Sequence, residues 1–219
     1  MLIIQNFAVF EGGDGSGTTT QIVLLKERYA RLREAQAGPA AGPGIPPLHL
    51  TYEPTAGPIG VMIRSALRGE LSLRPETCAR LFAADRNEHL YGAGGVAERC
   101  ARGELVVSDR YVLSSLVYQG LDCGEELPWS LNRGFPGPEL LFFFDLDPEI
   151  AMERIRSRPG RDLYERLDFQ IRVRERYRAL LPEFERAGVR VLCIDASQSA
   201  EESAALVWAA LEKMPIMKG

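Results

Sequence analysis

Phe7-Ala8-Val9-Phe10-Glu11-Gly12-Gly13-Asp14-Gly15-Ser16-Gly17-Thr18-Thr19-Thr20 passes from an apolar run, through a glycine-rich turn, into a segment where Ile22, Leu25, Tyr29 and Leu32 recur at helical spacing. The apolar run suits a short buried strand and the later spacing suits one face of a helix. Between them, Gly12, Gly17 and Thr19 fill the pattern G-x-x-x-x-G-K-[ST], with Thr18 where the pattern has lysine. Glycine pairs at this spacing arise easily by chance in a chain with 21 glycines, so the strand, turn and helix context carries the weight of the match. In that context the N–H groups of residues 13 to 19 converge on an anion, and a helix beginning near Thr18 turns its positive end to the same point. The hydroxyls of Thr19 and Thr20 stand where they reach magnesium and phosphate. Gly12, Gly13, Asp14, Gly15, Ser16, Gly17, Thr18, Thr19 and Thr20 therefore form a phosphate-binding loop that lacks its usual neutralising side chain. The plain alternative is a glycine-rich turn with no ligand.

At 219 residues the chain is expected to form one domain, 1–219, that buries roughly 70% of its unfolded surface. A hydrophobic fraction of 46% and a charged fraction of 26% are ordinary for a globular protein. The formal charge of −4 gives no basic footprint, so no nucleic-acid partner is expected. Cys78, Cys100, Cys123 and Cys193 form no C-x-x-C pair and read as thiols of a reducing compartment. Met1-Leu2-Ile3-Ile4 lacks a basic region before it and is followed by Gln5-Asn6, unlike a signal peptide. No stretch approaches eighteen apolar residues, so no membrane partner is expected and a cytoplasmic location is the default.

Five apolar runs suit strands: 7–11, 48–53, 105–109, 140–145 and 189–195. Several end in an acidic residue followed by turn or helix-start chemistry, which places polar groups at the strand ends where open α/β sheets bind ligands. Leu140-Leu141-Phe142-Phe143-Phe144 is apolar without alternation, as in a strand covered on both faces. The expected fold is α/β: a three-layer sandwich with a five-stranded parallel sheet. Residues 37 to 47, rich in Ala, Gly and Pro, form a connector after the first helix.

Further polar motifs follow in order: Thr51-Tyr52-Glu53-Pro54, Arg64, Leu81-Phe82-Ala83-Ala84-Asp85-Arg86, Ser108-Asp109-Arg110-Tyr111, Tyr118-Gln119-Gly120, Leu127-Pro128-Trp129-Ser130-Leu131-Asn132 and Phe144-Asp145-Leu146-Asp147-Pro148. With Phe10-Glu11-Gly12-Gly13-Asp14, this series resembles the thymidylate kinase family of P-loop nucleoside monophosphate kinases along nearly the whole chain. The resemblance implies a small lid segment at about 154–165, ATP as co-substrate, Mg2+, dTMP as acceptor and a homodimer. Its dTMP-binding positions are Asp14, Glu53, Arg64, Phe82, Arg86, Arg110, Ser115 and Tyr118. Phe82 and Arg86, four apart on a helix, can face one pocket, the ring stacking on a pyrimidine and the guanidinium donating to its O4. Phe82 can also be read as a core residue in line with Leu81 and Leu90. Ser115 would add a contact to the base, Tyr118 would pack beneath the deoxyribose, and Asp14 would accept from the 3′-hydroxyl. Arg64 and Arg110 would hold the monophosphate through their forked donors. Thr19 and Asp109 would serve the metal, Asp109 by orienting its water shell or the neighbouring arginine. Asp195-Ala196-Ser197 resembles the family's adenine-contacting loop, and is also a good helix start.

No general base is required, because an acceptor phosphate with a second pKa of about 6 is already a nucleophile at neutral pH. Catalysis then rests on Asp109, Arg110 and whatever cation replaces the lysine. The lysines are Lys26, Lys213 and Lys218. Lys26 lies about 12 Å along the helix from Thr18 and points away from the loop. Arg156, Arg158 and Arg161 in the lid segment are the expected substitutes, with Pro159-Gly160 as a turn that lets them close on the phosphates. Two departures from the family pattern are Tyr52, where arginine commonly precedes Glu-Pro, and a short segment between Asn132 and Pro138. The function implied is transfer of the γ-phosphate of ATP to dTMP. Two rivals are a catalytically impaired nucleotide-binding protein with a regulatory or structural role, and a kinase of another deoxynucleotide such as dUMP.

Overall fold

The computed structural model describes residues 1–35, 44–155 and 163–218. β1 (Ile3–Gly12) leads into α1 (Thr18–Ala35), and β2 (Leu48–Tyr52) is followed by α2 (Pro58–Leu67), α3 (Pro75–Tyr91) and α4 (Val96–Ala101). β3 (Leu105–Asp109) precedes α5 (Val112–Cys123) and α6 (Glu126–Asn132), and β4 (Gly137–Asp145) precedes α7 (Pro148–Ile155) and α8 (Leu163–Arg186). β5 (Arg190–Asp195) and α9 (Ala200–Leu211) complete the series, before a short 3-10 turn at Pro215–Lys218.

The strands form one five-stranded sheet in the order β2-β3-β1-β4-β5, every neighbouring pair parallel. Side chains alternate across each strand, so β1 sends Phe7 and Val9 to one face and Ala8 and Phe10 to the other. Phe7 and Val9 join Leu141, Phe143 and residues of α3, α4, α5 and α8. Ala8 and Phe10 join Leu140, Phe142, Phe144 and residues of α1 and α9. The unbroken apolar run in β4 therefore supplies both cores at once. Leu25 and Tyr29 of α1 are buried, and Ile22 and Leu32 pack beside them, as their spacing predicts.

β1 begins four residues before the expected Phe7, because Ile3 and Ile4 pair with Gly137 and Pro138 ahead of a register irregularity. Asn6 sits at that irregularity with φ 66°, its N–H donating to Glu139 at 2.8 Å and its side-chain amide to the Cys100 carbonyl at 3.2 Å. The polar Gln5-Asn6 pair that masks the strand in the sequence is thus the local kink within it. β4 likewise starts at Gly137, and β5 starts at Arg190.

β1 sits between β3 and β4, where successive crossovers leave toward opposite edges of the sheet. That switch point opens a crevice at the carboxyl ends of the strands. The register brings Phe10 level with Asp109, and Gly12 level with Phe144, so the glycine loop, the end of β3 and the end of β4 surround one space. Among the described residues no helix is long and apolar enough to cross a membrane. The expected lid, 154–165, is described at its two ends; Arg156, Arg158 and Arg161 lie outside the described residues.

Candidate active site

The glycine loop lines a cavity of about 650 Å³ with residues 13–20, Asp109, Arg110, Arg154 and, at its far side, Ala196, Gln198, Ala200 and Ser203. α1 starts at Thr18, so its unsatisfied N–H groups and positive dipole end face this space. Gly15 has φ +81°, and a β-carbon there would stand 2.9 Å from the Ala151 carbonyl and 3.1 Å from Ile155. α7 is therefore packed directly on the loop, which excludes an arginine at Gly15 and brings Arg154, exposed near the end of α7, onto the cavity wall. Lys26 lines a separate hollow with Tyr29, Arg33, Leu48 and Leu50, remote from the loop, as its position along α1 predicts.

Asp109 closes β3 beside the loop. Its Oδ2 accepts from the Thr19 hydroxyl at 3.4 Å, while Oδ1 is buried without a hydrogen-bond partner among the described residues. Burial pushes the Asp109 carboxyl above its usual range, against the pull of Arg110 and the hydroxyls of Thr18 and Thr19. An orphaned carboxylate oxygen beside a threonine hydroxyl is the donor set a hard cation takes. Mg2+ needs only one or two such protein ligands when phosphates and water supply the rest.

A second cavity, of about 390 Å³, opens between α3 and α5 and is lined by Glu53, Phe82, Arg86, Tyr111, Ser114, Ser115, Tyr118, Gln119 and Phe169, among others. Phe82 stands on its wall and is named in neither core cluster. Arg86 is 1% exposed and lies between the rings of Tyr111 and Phe135. Its Nε and Nη2 donate to Glu53 Oε2 at 3.0 and 2.7 Å, Nη2 also to Ser115 Oγ at 2.9 Å, and Nη1 to Asn132 Oδ1. Four of its five N–H donors are thereby used, leaving one on Nη1. Glu53 Oε1 accepts from His89 Nδ1 at 2.9 Å, and the other ring nitrogen, Nε2, is hydrogen-bonded to the Thr51 hydroxyl at 2.7 Å. Glu53 thus acts here as the counter-ion that fixes Arg86. Arg64 donates to the carbonyls of Pro54 and Thr55, with its guanidinium 5.9 Å from the Tyr52 ring, and does not line either cavity.

The two cavities share Asp14 and Arg110. Arg110 Nη2 donates to Asp14 at 2.9 Å, and Nη1 to the Gly12 carbonyl at 3.2 Å and Ser114 Oγ at 3.3 Å. Its guanidinium lies 5.1 Å from the Tyr118 ring. Asp14 also receives Gln170 Nε2 of α8 at 3.1 Å, and the Tyr118 hydroxyl at 3.5 Å.

A family profile for thymidylate kinase matches residues 10–207. The chain belongs to the thymidylate kinase family. A protein of Pyrobaculum aerophilum named "Probable thymidylate kinase" is 40% identical over 201 residues, 91% of this chain and 92% of the relative. A "Thymidylate kinase" of Thermomicrobium roseum is 37% identical over 216 residues, 95% of each chain. Membership of the thymidylate kinase family makes the protein a nucleoside monophosphate kinase, an ATP-binding phosphotransferase of nucleotide biosynthesis.

Several residues that line or brace the two cavities were not singled out by the sequence. Glu11 stands in the sequence as the acidic end of the first strand, and Tyr177 and Gln170 belong to none of its motifs. His89 likewise belongs to no motif, and Asp85, inside the segment 81–86, accepts from the Thr55 N–H and hydroxyl at 2.7 and 2.6 Å and so holds the turn after Glu53. Gln119 lines the second cavity with its Oε1 buried and without a partner among the described residues. The one available signal was the motif Tyr118-Gln119-Gly120, which places Gln119 beside Tyr118.

Proposed function

We propose that this protein transfers the γ-phosphate of ATP to dTMP, giving dTDP and ADP as a step toward dTTP. The observation that carries this reading is the junction of the two cavities at Asp14 and Arg110: a phosphate loop faces one, an aromatic and arginine-lined pocket of nucleoside size faces the other. The triphosphate lies along the loop N–H groups and the start of α1, with the adenine toward Ala196 and Gln198. The thymine ring stacks on Phe82, and the free N–H of Arg86 donates to O4. Cytosine, with an amino group at that position, meets donor against donor. The deoxyribose rests against Tyr118 with its 3′-hydroxyl toward Asp14.

Arg110 binds the acceptor phosphate and holds it in line with the γ-phosphate, so the gain comes from alignment and charge neutralisation. Bound at Thr19 and Asp109, Mg2+ would neutralise charge on the donor phosphates. With Thr18 in the lysine position, positive charge on the donor side comes from Arg154 and from the lid arginines Arg156, Arg158 and Arg161. The same reading takes the chain as one domain with a lid at 154–165, as a cytoplasmic protein and as a homodimer.

The test is ADP release with ATP, Mg2+ and a panel of monophosphates. Turnover is expected with dTMP, less with dUMP, and none above background with dCMP or purine monophosphates. Binding of dTMP without turnover would instead favour a catalytically impaired nucleotide-binding protein.

A further inference from the structure

Glu11 is a carboxylate at the end of β1, 0% exposed, that does not itself line either cavity. Its two oxygens accept four hydrogen bonds: Oε1 from the N–H groups of Tyr111 and Ser114 at 2.9 and 3.3 Å, and Oε2 from the hydroxyls of Ser114 and Tyr177 at 2.5 and 3.1 Å. β1, the start of α5 and the middle of α8 are thereby tied at one point.

The segment so tied is unusual. Arg110 has φ +71°, a left-handed conformation that a side chain with a β-carbon adopts only at a cost. Three contacts hold it there: its N–H donates to the Phe10 carbonyl at 2.8 Å, its carbonyl accepts from Ser108 Oγ at 2.8 Å, and the next N–H, that of Tyr111, is held by Glu11. Ser114 and Tyr177, which donate to Glu11 and meet each other at 2.8 Å, also stand 3.3 and 3.5 Å from Arg110 Nη1. The same carboxylate therefore fixes both the backbone turn and the two hydroxyls on which the guanidinium rests.

We propose that Glu11 is a positioning residue for the acceptor phosphate: its buried carboxylate, fastened to α5 and α8, holds the left-handed turn that aims Arg110 into the junction of the two cavities. This rests on Arg110 as the acceptor-phosphate ligand. Only the ionised carboxylate accepts all four hydrogen bonds; a protonated one must give up an acceptor site to its own O–H. The charged and titratable groups that face it are the Arg110 guanidinium, the Tyr177 phenol of α8 and the Tyr118 phenol of α5. Burial pushes the Glu11 carboxyl from 4.5 to about 7, against the pull of Ser114, Arg110 and Tyr177.

The experiment measures KM for dTMP and for ATP, and kcat, between pH 6 and 8.5 in wild type, Glu11→Gln, Tyr177→Phe and Arg110→Gln, each checked for folding by circular dichroism. Glu11→Gln is expected to raise the dTMP KM about tenfold with the ATP KM within twofold. Its pH profile should lose the wild-type rise in dTMP KM below about pH 7, leaving only the substrate phosphate's own titration near 6. Tyr177→Phe, which removes one of the four donors, is expected to raise the dTMP KM two- to threefold. A folded Glu11→Gln enzyme that keeps the wild-type dTMP KM and pH profile, or binds dTMP more tightly, overturns the proposal. So does an equal rise in both KM values. If Glu11→Gln does not fold, Tyr177→Phe decides, and an unchanged dTMP KM overturns it. Arg110→Gln separates the two layers. If it leaves the dTMP KM unchanged, the acceptor-site reading fails and this proposal falls with it; if it raises that KM while Glu11→Gln does not, the positioning role alone fails.

Discussion

At the nucleoside end of the cleft, polar side chains are locked to one another independently of any ligand: Arg86 is held by Glu53, Ser115 and Asn132, and Glu53 in turn by His89. At the phosphate end the wall is mostly backbone. Glycines and the start of α1 provide N–H groups, Thr18 provides no charge, and Arg154 is an exposed side chain without a hydrogen bond in the described structure. On the function proposed above, the two regions solve different problems. A base is recognised by a fixed pattern of donors and acceptors, which rewards rigidity. A triphosphate is a dense charge that must be neutralised when bound and released after transfer, which suits amides in the loop and cations on a neighbouring helix.

Four expected outcomes test that contrast, from the largest effect to the smallest. Arg110→Ala, at the junction, removes the charge both regions share and should lower kcat/KM for dTMP by about 10³-fold, read by coupled assay at saturating ATP. Glu53→Gln strands a buried guanidinium and should lower unfolding free energy by about 3 kcal/mol in urea denaturation, with weaker discrimination of dTMP from dCMP. A variant as stable as wild type would mean that the nucleoside end is not locked by this ion pair.

The third outcome concerns pH. Glu11 titrates at about 7 in the fold against 4.5 in the unfolded chain, so between those values the native state holds more protons. Unfolding free energy contributed by this group therefore falls as pH rises from about 4.5 to 7, by about 3 kcal/mol in all. Urea denaturation at pH 5 and pH 8 should show this slope in wild type and not in Glu11→Gln. The sign is opposite to that of a carboxylate whose ionised form is favoured by the fold, and a charge kept at such a cost fits a positioning role.

The smallest effect is expected at the exposed donor side. Arg154→Ala should lower kcat about tenfold while leaving the dTMP KM within twofold. In that background, Thr18→Lys should recover part of the loss if the lysine position and α7 supply the same charge. A variant with unchanged kcat would assign the donor-side cation to the lid arginines alone.

The sheet was legible because its strands are short apolar runs with acidic ends, and each of 7–11, 105–109 and 140–145 lies inside an observed strand. What escaped was the kink at Asn6, since a polar pair inside a strand reads as its boundary. Asp14, Asp109, Arg110 and Phe82, each inside a compact motif, line one or both of the cavities. Arg64 places two of its donors on the carbonyls of Pro54 and Thr55 and lines neither cavity, which no spacing foretold, because a helix pattern gives the face of a side chain but not its partner.

The sequence by itself determined a parallel α/β architecture, a glycine loop with threonine at the lysine position and the resemblance to the thymidylate kinase family. Those follow from local periodicity and from motifs whose members are neighbours along the chain. Only the tertiary structure decided that Gly15 lies too close to α7 to be anything larger, that Arg86 reaches its pocket with one free N–H, and that Glu11 ties Tyr111, Ser114 and Tyr177 behind Arg110. Each of these joins residues from separate elements, and their meaning comes from a hydrogen-bond donor being used or free, which no spacing along the chain records.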